Sequence, residues 1–151
     1  MNDVASKESV STTSRAALSD AALGHLVLRL VLGINIAMHG LTRVGDPAGF
    51  AQGIVNGFAQ TPLPVWSVRL FGLVLPFLEL VTGVGMLLGW RLRAFLLLGG
   101  VTIAALTFGT CLRQQWETAG LQLFYALAYA WLLHHAAEAR FTVDSWLARR
   151  R

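Results

Sequence analysis

The sequence predicts an all-α fold, a four-helix transmembrane bundle with a short interfacial helix between spans one and two. Three observations carry that expectation. Only 13% of the 151 residues are charged and 55% are hydrophobic, about half the charged fraction of an ordinary soluble domain. Four apolar runs can each cross a hydrocarbon core, which takes roughly 20 residues. One of them carries no charge from Ala94 to Leu112, which a buried helix of a soluble protein would not need. The runs extend from about Leu23 to Leu41, Trp66 to Trp90, Leu92 to Leu112 and Ala119 to Ala136. They leave no room for a soluble catalytic domain, so one bundle is expected over 21–147, between a disordered cytoplasmic tail 1–20 and a basic C-terminus 148–151.

The first twenty residues are rich in Ser, Thr and Ala, a composition that cannot bury a core. They do not read as a signal peptide, because the following run is long enough to span. The stretch Thr42 to Val65 is the only long connection. Asp46-Pro47 opens a short helix there, with Asp as N-cap and Pro at the first helical position. Phe50, Ile54 and Phe58 recur every four residues and make one apolar stripe. Such a helix can rest in the outer interface, cap the bundle or form the lip of an entry site. Thr61-Pro62-Leu63-Pro64 ends it.

The other connections are short, so consecutive spans should pack as antiparallel neighbours. Trp66, Trp90 and Trp116 fall at span ends, where aromatic belts sit. Gly85 and Gly89 in span two, and Gly99-Gly100 and Ala104-Ala105 in span three, permit close helix approach. Pro76 removes one rung of the hydrogen-bond ladder a turn before Glu79. Cys111, the single cysteine, excludes an internal disulfide. No metal centre is expected: His134 and His135 are adjacent at the inner boundary and His39 lies near the outer end. No basic groove with stacking aromatics is present, so no nucleic-acid role is expected.

The polar residues at membrane depth are the functional pointers. Glu79 has nine uncharged residues on each side, and a carboxylate there costs several kcal/mol unless paired, solvated or protonated. At about 1.5 Å rise per residue, Glu79 lies roughly 16 Å from the inner end of its span and Asn35 roughly 18 Å from that of span one, with Tyr129 near the same level. Gln122, Tyr125 and Tyr129 share one face of span four. With Asn35, Glu79 and His39 they can line an outward-opening pocket, and an interhelical hydrogen-bond cluster accounts for them as well. Arg29, placed with the same pocket, has two outcomes. It can pair with Glu79, or, because helical side chains lean toward their own N-terminus, its head can diverge inward and snorkel.

Three motifs in order carry a family resemblance: Arg29-Leu30 followed by His39-Gly40; Glu79 ahead of the Gly- and Leu-rich run ending at Gly89; and the tail Ala139-Arg140-Phe141-Thr142-Val143-Asp144. Together they resemble the DoxX/DoxD family of small four-span membrane proteins over about Leu23 to Leu147. The resemblance implies a bacterial inner (cytoplasmic) membrane protein acting as the membrane subunit of a redox complex, with Arg29, His39, Gly40, Glu79, Arg140 and Asp144 the residues at stake. A quinone is the cofactor or substrate so implied. A quinone site needs an apolar cleft, hydrogen-bond partners for two carbonyls and a proton-carrying group, for which Glu79 is the candidate. Without a recognisable electron carrier of its own, the chain would need a soluble oxidoreductase subunit. Association with a second copy stays open. The competing class is a non-enzymatic anchor, assembly factor or small transporter.

Near the end of the chain, Arg140 and Asp144 are four residues apart. The sequence predicts a lock in which Asp144 holds the tail to the inner end through Arg91, Arg93 or Arg140. A solvated amphipathic end on lipid is the alternative.

Topology follows from charge. With the N-terminus inside, Lys7, Arg15, Arg91, Arg93, Arg140, Arg149, Arg150 and Arg151 are cytoplasmic against Arg43 and Arg113 outside, which satisfies the positive-inside rule with both termini cytoplasmic. Cysteines introduced between Asp46 and Pro64 should therefore react with an impermeant thiol reagent added to intact cells. Protection of Phe50–Phe58 from outside, with labelling from the cytoplasm, would reverse the assignment.

Overall fold

The computed structural model describes residues 19–150. The expected tail 1–20 lies outside them but for its last two residues, as does Arg151. Among the described residues the chain is all-helical: α1 (Asp20–Leu41), α2 (Pro47–Gly57), α3 (Val65–Leu88), α4 (Leu92–Leu112), α5 (Trp116–His134), a 3₁₀ turn Ala136–Glu138 and α6 (Val143–Ala148). Ser19 caps α1 by accepting from Ala22 N, and Asp46 caps α2 by accepting from Gly49 N, with Pro47 in its first turn. α3 runs unbroken through Pro76 and ends on Gly89, whose φ of 64° is the left-handed C-cap conformation that glycine adopts without a Cβ penalty.

Three helices, α1, α3 and α4, are long and apolar enough to cross a membrane, and the chain is a membrane protein. The expected fourth span coincides with α5. At 19 residues it is long enough, but Glu117, Gln122, Tyr125, Tyr129 and His134 dilute its hydropathy, and it does not join the other three. α2 exists as a helix between the first two long ones.

α3 is the hub: α1, α2 and α4 all pack on it, while α5 packs on α4 and α1. The α1–α3 seam brings backbone to backbone. A Cβ at Gly40 would fall onto the main chain of Pro76 and Leu80, and one at Gly83 onto the main chain of Ala37. Where hydrocarbon surrounds both helices, such small-residue contacts replace the hydrophobic drive as the source of adhesion. The core between the helices is built from Leu32, Ile36, Met86, Leu92, Leu96, Ile103, Tyr129 and Leu132. Outward-facing side chains are themselves apolar, as at Val31 (62% exposed) and Val101 (67% exposed), the pattern of a lipid-facing surface rather than a soluble one.

The seam makes a sharp prediction. Gly40→Leu or Gly83→Leu should cost about 1–3 kcal/mol or more through forced separation of α1 and α3. Gly120→Ala, where a Cβ meets open space, should cost nothing. Thermal unfolding of the detergent-solubilised protein compares them, and equal melting temperatures would show that the seam does not carry the packing.

Candidate functional site

Glu79 is 5% exposed, and its partner is Arg43. Arg43 Nη1 donates to both carboxylate oxygens of Glu79, at 2.9 Å to Oε1 and 2.7 Å to Oε2. Arg43 Nη2 lies 3.0 Å from His39 Nδ1. Because arginine has no acceptor, that ring nitrogen accepts, and the proton of a neutral His39 ring sits on Nε2. The Arg43 guanidinium also lies 4.8 Å from the centroid of the Phe50 ring. One cation therefore joins α1 through His39, α3 through Glu79 and α2 through Phe50. The local cause is the turn after α1: the chain stays coiled through Arg43 and Val44, both bonded back to Gly40 O, and this directs Arg43 into the bundle.

Removing one partner of a buried pair costs about 3–5 kcal/mol. The figure is smaller here because the Arg43 side chain is 28% exposed.

Below the pair, a cavity of about 360 Å³ opens between the helices. It brings together six of the residues singled out in the sequence: Asn35, His39, Glu79, Gln122, Tyr125 and Tyr129. Arg43, Phe50 and Ile54 stand at its α2 side, and Ile36, Leu75, Ile103 and Leu106 supply apolar wall. Gly99 leaves the space that the Tyr129 ring fills. Gln122 Oε1 accepts from Thr110 Oγ1 at 2.9 Å. Three of the lining residues each carry a buried polar atom with no hydrogen-bond partner within the protein, Asn35 Oδ1, Thr82 Oγ1 and Tyr129 OH. An unanswered buried polar atom costs about 1–3 kcal/mol, and three of the six such atoms among the described residues belong to residues lining this one cavity.

Arg29 does not line this cavity. It is 2% exposed and its Nη2 donates to Phe141 O at 2.6 Å, so its head points away from Glu79, as the lean of helical side chains requires. Two residues of the site, Arg43 and Thr82, were missing from the sequence reading. Arg43 was counted as an outer-loop charge, and the available signal was its i, i+4 spacing from His39. Thr82 follows Glu79 by three residues on the same face, a spacing that places it on the cavity but is common in any helix.

Gly40, Arg140 and Asp144 serve the frame. Gly40 sits in the α1–α3 seam. Asp144 accepts from Arg91 N (2.9 Å) and Leu92 N (3.0 Å), capping the start of α4, and its own N–H reaches Gly89 O at 3.3 Å. The expected partners were the side chains of Arg91, Arg93 or Arg140. The carboxylate instead meets backbone amides, because the first amides of a helix lack intrahelical partners and carry partial positive charge. The Arg140 carbonyl accepts from Ser145 Oγ, within a tail whose Thr142–Ser145 capping box begins α6. Asp144→Ala should release this tail: trypsin added to inside-out vesicles should cleave after Arg140 several times faster than in the unaltered protein, about as expected for losing a cap worth ~1 kcal/mol. Equal rates would mean that the cap does not hold the tail.

A family model described as methylamine utilisation protein MauE matches residues 21–122. No curated protein and no solved structure matches the chain. The family match corrects the resemblance to DoxX/DoxD, which is a different family. Parts of the motifs behind that resemblance serve packing and capping in this fold: Gly40 and Gly83, in the run after Glu79, form the α1–α3 seam, and Asp144 of the Arg140–Asp144 tail, outside the matched residues, caps α4. Small residues at a seam and a capped tail are needs that any compact membrane bundle meets. The match instead spans α1 to α4 and enters α5, taking in Arg43, Glu79 and the greater part of the cavity lining, and by it the chain belongs to the MauE family of membrane proteins.

Proposed function

We propose that this chain is the membrane module of a redox system serving methylamine utilisation, and that its central cavity binds a quinone-class ring. The observation that supports the reading is that three residues lining one apolar cavity beside the Arg43–Glu79 pair carry unanswered polar atoms, Asn35 Oδ1, Thr82 Oγ1 and Tyr129 OH, which small side-chain rotations would bring to a ligand. Hydroxyl groups at Thr82 and Tyr129 can donate to the carbonyls of an oxidised ring, and Asn35 Oδ1 can accept from a hydroxyl of the reduced one. The set therefore suits both oxidation states. Methylammonium itself is a poor fit: the Glu79 charge is already answered by Arg43, and the cavity is far larger than that small cation.

Reduction of a quinone takes up two electrons and two protons. Glu79 faces the cavity and is the candidate proton carrier, with the Arg43–His39 arrangement holding its carboxylate in place. The electrons come from a partner, a soluble oxidoreductase subunit, since Cys111 is the only cysteine and no group of metal-ligating side chains gathers among the described residues. The ligand-bearing unit is a four-span bundle over 21–147, with α5 as the fourth span. Lipid-facing Leu123, Phe124 and Leu127, exposed by 58%, 70% and 67%, support that role for α5. The short α2, with Phe50 and Ile54 turned to the cavity, lies in the outer interface as its lid. A bacterial inner membrane with both termini cytoplasmic agrees with the arginines of the α3–α4 turn and the tail.

Two substitutions test the reading. Tyr129→Phe should weaken binding of a soluble benzoquinone by about tenfold, the worth of one hydrogen bond to a buried group. Glu79→Gln should leave the bundle folded and the ring bound but abolish methylamine-dependent growth in a complementation assay, because Gln keeps shape and hydrogen bonding without titrating. If Gln supports growth while Leu does not, Glu79 acts by hydrogen bonding alone. If the ring fails to bind the unaltered protein, an anchor, assembly or transport role takes the place of this one.

A further inference from the structure

Resting on the quinone reading of the central cavity, we propose that a second, unassigned cavity between α2, α3 and α4 is the seat of the ligand's hydrocarbon tail, so that the natural ligand is an amphiphile with a carbonyl-bearing head and an apolar chain. This second space, of about 300 Å³, is walled by Phe58, Leu63, Val68, Phe71 and Phe108. It shares Ile54 and Leu106 with the central cavity. Those two aliphatic side chains stand between the two spaces, and Thr110 of the second lining bonds Gln122 of the first. Each space alone is at the low end of the ~300–1,000 Å³ of ligand pockets, and joined they reach the middle of that range.

The packing explains why the space exists. At the inner end the short turn Gly89–Arg91 ties α3 to α4, and Gly85 lies directly against the Phe95 ring. Toward the outer end no such small residue faces α4 from α3, and Phe58 of the α2 end enters against Gly109 instead. The cavity is deep on one side, where Val68 is 5% exposed, and open to lipid on the other, where Phe108 is 59% exposed. A chain leaving the polar head past Ile54 and Leu106 thus meets a mainly apolar wall before it reaches the bilayer, with Ser67, Thr110 and Arg113 the polar residues on that lining. The α1–α5 side also touches the central cavity, through Asn35 and Tyr125, but that groove is smaller, about 220 Å³. Its walls include Val31 and Phe124, exposed by 62% and 70%, so it is a lipid-facing surface rather than a seat.

The test uses the full-length protein in nanodiscs, with a benzoquinone whose short alkyl chain ends in a photoreactive diazirine. The same ring without a chain is the competitor, and labelled peptides are mapped by mass spectrometry. Label is expected on Phe58, Phe71 or Phe108 and is lost when the chainless ring is added in excess. Ala105→Trp, which fills the second cavity from α4 without touching the first, should remove that label while the chainless ring still binds. Label on Val31 or Phe124 that the chainless ring displaces overturns the tail seat and leaves the head site standing. Label that the chainless ring does not displace from any residue overturns both. Unchanged labelling of Phe58, Phe71 or Phe108 in a folded Ala105→Trp protein also overturns the tail seat.

Discussion

Much of this structure depends on how one carboxylate is accommodated inside hydrocarbon. Glu79 sits in the middle of an uncharged run, and an unpaired carboxylate there would cost several kcal/mol. The solution is Arg43, which enters from the turn after α1 and bonds both oxygens of Glu79 while meeting His39 and the Phe50 ring. The ion pair fixes where α1 ends, how the chain turns into α2, and where α2 lies against α3. It also holds a charged, hydrogen-bonding group at the edge of an otherwise apolar cavity. The contact that makes the carboxylate tolerable also fixes its place on the cavity lining.

The rest of the bundle is organised by where helices touch closely and where they do not. At the α1–α3 seam, Gly40 and Gly83 admit neighbouring backbone, and no ligand could enter there. The cavity lies among α1, α3, α4 and α5, and three of its lining residues, Asn35, Thr82 and Tyr129, carry unanswered polar atoms. In hydrocarbon, where lipid offers no hydrogen bonds to relieve such atoms, leaving three of them unanswered is expensive.

At the opposite end, the tail is held by local chemistry of a different kind. Asp144 caps α4, and Arg29, buried and far from the carboxylate it was a candidate to pair with, ties α1 to the Phe141 carbonyl. His25 completes the same end, its Nε2 3.3 Å from Leu132 O. These contacts close the end of the bundle opposite α2.

By itself the sequence determined the helical class, the positions of the long helices to within a few residues, the short helix opened by Asp46-Pro47, and six residues of one cavity. These are properties of local composition and periodicity: a run of apolar residues must hide its backbone in a helix, and polar residues at one depth and on one face have few places to go. The sequence could not name the partner of Glu79, the way Asp144 is held, or the role of Arg29, since each is a contact between elements distant in the chain. Arg43 looked like a loop charge until the turn after α1 brought it within 2.7 Å of a carboxylate 36 residues away. Motif likeness misled for a related reason. Glycines at a seam and a capped tail recur wherever membrane helices pack closely, so they report packing geometry, whereas the continuous match of residues 21–122, from α1 into α5, carries the family. Only the tertiary structure decided which of the buried polar groups answer one another, because that depends on which side chains of distant elements the helix packing brings within hydrogen-bonding distance.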